Sequence, residues 1–165
     1  MSDFNPKEVG FLVDMDGLLI NSEKIAHEVF LTLCNQHGGH FNKEIHSNIL
    51  GTESEFWSNY VVDHCKLDIN SEVFLHDFYQ VYREILDQRI ALMPGVKEFL
   101  DWISIKGYEK CLVTSSGKEN TQKNLKKVGL DEYFFYRITA DVTSRGKPDP
   151  EPYQLAASLI NRDLK

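Results

Sequence analysis

Two carboxylates spaced two residues apart, Asp14 and Asp16, follow a short apolar run at residues 9–13 and precede Gly17. In extended backbone, side chains at i and i+2 emerge on one side, so this pair can share a single ligand. A hard cation suits it, because Mg²⁺ takes oxygen ligands and often only one or two carboxylates, filling its remaining positions with water and substrate phosphate. A carboxylate placed there can also attack phosphorus and carry the phosphoryl group as an aspartyl phosphate. Two later clusters suit the same chemistry. Thr114-Ser115-Ser116-Gly117 lies between an apolar run and a helix start, where hydroxyls and free N–H groups can hold phosphate oxygens. Lys147, in Arg145-Gly146-Lys147-Pro148-Asp149-Pro150, sits in a turn whose Pro148 restricts the backbone and aims the ammonium group.

Each cluster also has an ordinary structural explanation. Asp14-Met15-Asp16-Gly17 reads equally as a polar turn in which Gly17 supplies a positive φ. Ser115 or Ser116 reads as the N-cap of the next helix. A single lysine is usually solvated. What favours the chemical reading is the set of three, in a compatible order, each after a strand-like segment.

The elements that must hold these residues alternate in the manner of an α/β protein. Residues 9–13 fit a strand buried on both faces of a parallel sheet, with its carboxyl end, where Asp14 and Asp16 emerge, as the ligand side. Apolar positions at helical spacing predict helices over 22–38, 55–65 and 73–86, with no convincing strand between them. From Pro94-Gly95 the pattern changes to a helix over 96–105, a strand over 110–113, a helix over 118–128, a strand over 135–140 and a helix over 150–160.

Composition narrows the classes of function. The 165-residue chain has room for one core, or a core with a small inserted lobe. With 42% hydrophobic and 12% aromatic residues it should fold. Eighteen Lys and Arg against 25 Asp and Glu give a net charge of -7, which disfavours nucleic acid and anionic lipid as partners. Cys34, Cys65 and Cys111 are odd in number and lack metal-type spacing, so they read as buried thiols of a reducing, cytoplasmic compartment. Cys34, His37 and His40 have a spacing compatible with zinc, but Gly38-Gly39 marks a helix end and no fourth ligand is evident. No run approaches the roughly 20 apolar residues needed to span a bilayer.

Taken together, Asp14-Met15-Asp16-Gly17-Leu18-Leu19, Leu112-Val113-Thr114-Ser115-Ser116 and Gly146-Lys147-Pro148-Asp149-Pro150 resemble the motifs of the haloacid dehalogenase superfamily of phosphatases and phosphomutases. The resemblance implies a Rossmann-like parallel-sheet core, residues 1–21 and 91–165, carrying an α-helical cap, residues 22–90, that closes to exclude water. It implies an Mg²⁺-dependent phosphatase acting on a small phosphorylated metabolite, such as a sugar phosphate, through an aspartyl-phosphate intermediate. Asp14 would be nucleophile and metal ligand, and Asp16 general acid/base and, through its backbone carbonyl, metal ligand. Thr114, Ser115 and Lys147 would grip the phosphoryl group. Phosphoglucose mutases of this family carry a His where Ala26 stands and an Arg where Ser54 stands, which favours a phosphatase over a phosphomutase. Glu23, Lys24 and His27 are the cap residues placed early enough to face a substrate.

The family also has a fourth motif, an acidic pair on a further core strand. After the helix over 150–160 comes Arg162-Asp163-Leu164-Lys165, where that strand would begin. The expectation is a C-terminally truncated chain whose last core strands are missing. The Asp14 strand would then have an unpaired edge prone to self-association, and a catalytically silent phosphate-binding or regulatory fragment is the alternative function.

Overall fold

The computed structural model describes residues 5–162; the end of the chain on which the truncation expectation rests, 163–165, lies outside the described residues. The chain forms two compact units, Met1–Asn21 with Ile90–Lys165, and Ser22–Arg89.

The first unit is built on a parallel sheet of three strands, β1 (Gly10–Val13), β2 (Glu109–Val113) and β3 (Tyr136–Ile138), in the order β1-β2-β3. Alternation along each strand sends side chains to opposite faces. Phe11, Val13 and Leu112 join the cluster that includes Leu100 and Ile103 of α5 (Val96–Ile105) and Leu125 of α6 (Lys118–Lys127). Leu12, Cys111, Val113 and Ile138 pack instead with Ala156 of α7 (Glu151–Leu159) and with Ile160 just beyond it. An aliphatic side chain withdrawn from water on either face contributes about 1.5–3 kcal/mol.

β1 packs on both faces, as expected, but less deeply than its apolar run implies. Only Val13 is fully buried, and Gly10, Phe11 and Leu12 are half-buried. Among the described residues β1 pairs with β2 alone, so no strand covers its other edge. Gly10 lies close against the end of the chain's last helix. A Cβ there would lie 2.5 Å from Cδ1 of Ile160 and 3.3 Å from Cγ of Arg162.

The second unit is helical: α1 (Ser22–Gln36), α2 (Lys43–Ile49), α3 (Ser54–Cys65) and α4 (Ser71–Arg89). Its centre is aromatic. The Phe30 ring stacks on Phe41 at 4.9 Å, tilts against Phe78 at 4.4 Å and meets Trp57 edge-on at 5.2 Å. Helix α2 escaped the periodicity because two turns show too little of it, although Asn42 caps it by accepting the Ile45 N–H at 3.0 Å. The cysteines are free and buried, as expected, and burial pushes the Cys111 thiol up to about 11. No helix among the described residues is long and apolar enough to cross a membrane.

Candidate active site

Strand β1 ends at Val13, and the next three residues alternate in environment: Asp14 partly exposed, Met15 fully buried, Asp16 partly exposed. Met15 is anchored in the core beside Leu19 and Ile20. Gly17, with φ 74°, turns the chain, and its N–H donates to the Ile20 carbonyl at 3.1 Å. The polar-turn reading is thus correct for Gly17, but the two carboxylates it follows are engaged far along the chain.

Asp14 Oδ1 accepts a hydrogen bond from Lys147 Nζ at 2.7 Å, and the same ammonium donates to the Val113 carbonyl at 2.8 Å. The cation also stands 5.3 Å over the ring of Tyr153. With a side-chain exposure of 21% against 39% for Asp14, Lys147 is not an ordinary solvated lysine. Its turn is held from below. Glu151 accepts the N–H groups of Ser144 and Arg145, Asp149 Oδ1 accepts the Glu151 N–H at 2.9 Å, and Arg145 pairs with Asp149 at 2.9 Å.

Asp16 takes a different pair of partners from the end of β2. Its Oδ2 accepts from Thr114 Oγ1 at 3.1 Å and from Ser116 Oγ at 2.9 Å. Thr114 is buried, its N–H donates to the Ile138 carbonyl at 2.9 Å, and its hydroxyl accepts the Ser116 N–H at 3.0 Å. Ser115 is exposed and bonds no described residue. The five residues singled out in the sequence therefore divide: Asp14 with Lys147, Asp16 with Thr114, and Ser115 apart.

The N-cap expectation for Ser115 or Ser116 is corrected. The residue at that position is Gly117, and the first free amide of α6, the Lys118 N–H, donates to the Asp141 carboxylate. That bond holds the Asp141 carboxyl below the usual carboxylate range. Sequence reading missed Asp141, which acts from 23 residues away. It also missed Ser116 as a partner of Asp16, although adjacency to Thr114 in a serine-rich turn was a usable signal.

As a metal site, the donors that the resemblance assigns are the Asp14 carboxylate and the Asp16 backbone carbonyl. Among the described residues no group of three or more His, Cys, Asp or Glu side chains is assembled to hold a metal ion. Two hard oxygen donors still fit Mg²⁺, which commonly keeps several waters and takes the rest of its shell from phosphate. Cys34 of the Cys34, His37 and His40 spacing is buried beside Cys65, and burial pushes its thiol up.

A parallel sheet with paired carboxylates beyond its first strand, a hydroxyl turn beyond the second and a lysine turn after the third matches a known family. Residues 11–163 match the family model of haloacid dehalogenase-like hydrolases, and the chain belongs to that family. It is 24% identical over 150 residues to a phosphorylated carbohydrates phosphatase of Thermotoga maritima, across 91% of this chain and 69% of that protein. It is 30% identical over 155 residues to a validoxylamine A 7'-phosphate phosphatase of Streptomyces hygroscopicus, across 91% of this chain and 70% of the relative. The fold matches a haloacid dehalogenase-like protein of Agrobacterium tumefaciens at a TM-score of 0.78, with 24% identity over 93% of this chain and 70% of the other. It also matches a beta-phosphoglucomutase of Clostridium difficile at 0.71, with 16% identity over 94% and 72%. The α/β expectation and the family resemblance are met.

Proposed function

We propose that this chain hydrolyses phosphate monoesters of small metabolites through an aspartyl phosphate on Asp14. The observation that carries the reading is the convergence of Lys147 on Asp14 and of Thr114 and Ser116 on Asp16, at the carboxyl ends of adjacent strands. The phosphatase names of two relatives support the substrate class.

In this reading a carboxylate oxygen of Asp14 attacks phosphorus, and the bond to the ester oxygen breaks. The departing oxygen takes the electron pair and a proton from Asp16. Water then attacks the phosphoryl group on Asp14 while Asp16 recovers the proton, releasing inorganic phosphate. General acid and base help of this kind is typically worth about 10²–10⁴-fold. Lys147, Thr114 and Ser115 grip the phosphoryl oxygens, each fixed donor contributing a few kcal/mol as charge develops. The Asp14 carboxylate and the Asp16 backbone carbonyl would hold Mg²⁺, which when bound neutralises the charge of the phosphoryl oxygens.

Residues 1–21 and 91–165 act as the core in this reading, and 22–90 as the cap that selects the substrate. Ala26 packs against the helical core and the Ser54 hydroxyl is bonded to Tyr79 at 2.8 Å, so neither is a cationic sugar-phosphate contact. That supports a phosphatase over a phosphomutase. Free cysteines support a reducing compartment. The test is p-nitrophenyl phosphate hydrolysis with and without Mg²⁺. We expect turnover that requires the metal and falls more than about 10³-fold in Asp14→Asn. Phosphate binding by calorimetry without any turnover would replace the enzyme by a silent binding module.

A further inference from the structure

We propose that Ser116 is a positioning residue that keeps the Asp16 carboxyl aimed while Thr114 is transferred from Asp16 to the phosphoryl group. The inference rests on the phosphatase reading and goes beyond the family's phosphate grips.

The argument is a count of protons. A hydroxyl has one proton to donate. In this structure the Thr114 hydroxyl gives that proton to Asp16 Oδ2 and accepts the Ser116 N–H. It cannot hold Asp16 and a phosphoryl oxygen at once. When substrate takes the Thr114 proton, Asp16 loses one of its two anchors, and only the Ser116 hydroxyl, at 2.9 Å, remains on Oδ2.

Ser116 is built to stay in place during that exchange. Its carbonyl accepts the Ala140 N–H at 3.1 Å, tying it to the segment after β3, and its own N–H is bonded to Thr114. Gly117, next in the chain, lies beside the Asp141 carboxylate that caps α6. The backbone of Ser116 is therefore fixed from both sides, independently of any ligand. With Oδ2 held by Ser116, Oδ1 is the oxygen that carries the acid proton towards the leaving group. Without that bond the carboxyl turns freely about its last torsion, which is broad and roughly two-fold.

A role through the general acid has a signature that a merely structural role lacks, namely dependence on the leaving group. Wild type, Ser116→Ala and Ser116→Thr are compared by kcat/KM, which reports phosphorylation of Asp14, on phenyl phosphate and 2,4-dinitrophenyl phosphate. The phenolate needs a proton as it departs; the dinitrophenolate does not.

The expected result is a loss of about tenfold for Ser116→Ala on phenyl phosphate and less than about twofold on the dinitrophenyl ester. Ser116→Thr, which keeps a hydroxyl, restores the first value. Should Ser116→Ala lose cooperative unfolding, Ser116→Cys keeps the shape with a weak donor and must give the same split. Equal losses on both esters, no loss, or no restoration by threonine overturns the assignment alone. Failure of the wild type to hydrolyse either ester overturns the phosphatase reading, and the assignment with it.

Discussion

The two units of this chain are held together by different physics. Among the described residues of the helical unit the long-range contacts are dominated by rings, with Phe30 touching Phe41, Trp57 and Phe78, while many of its polar bonds are local, three or four residues apart. In the α/β unit, polar bonds reach 98, 100 and 133 residues, and they collect at the ends of β1 and β2. Buried rings stabilise chiefly through the large area they withdraw from water. Charged bonds of that reach demand a fixed scaffold, which suits chemistry. The contrast predicts that damage to one unit is read as stability and damage to the other as rate.

The strongest way to break that contrast is to empty the aromatic centre. Phe30→Ala should cost about 3–5 kcal/mol, as removal of a buried aromatic side chain does. Hydrogen exchange should then quicken in α1, α3 and α4, while the amides of β1 to β3 keep their protection. Equal loss in both units would show one cooperative block instead.

Lys147→Ala should do the reverse, lowering kcat about 10²–10³-fold with little change in the midpoint of urea unfolding. A large drop in stability with unchanged kcat would make the Asp14–Lys147 pair a structural strut. Smaller still is the effect of Asp141→Asn. Because the Lys118 amide depresses the Asp141 carboxyl, its contribution exists above the unfolded value of about 3.9 and disappears as pH falls through the lower folded value. The variant should therefore be less stable than wild type at pH 7 and indistinguishable from it in strong acid. A difference that persists at low pH would remove the carboxylate from the explanation.

Much of this was legible in the sequence because period and punctuation are local. The Gly95 and Gly107 boundaries delimit α5 at Val96–Ile105, and the apolar run before Thr114 marks β2. Partners are not local. The family motif marked Lys147 as a phosphoryl grip, but that it would choose Asp14 over solvent was not written in residues 145–150. That Asp141 rather than a serine would cap α6 required knowing that β3 returns beside β2. The depth of β1 burial was overstated because an apolar run does not report how fully its neighbours cover it.

The 133 residues between Asp14 and Lys147 also set a schedule. At about 5–20 residues per second, a ribosome makes the lysine on the order of ten seconds after the aspartate. Loop closure over that span comes late, since non-local contacts must wait for the segments between them. A nascent chain therefore carries its two acids without their counter-charge, and the ion pair marks a polypeptide whose three strands have all arrived.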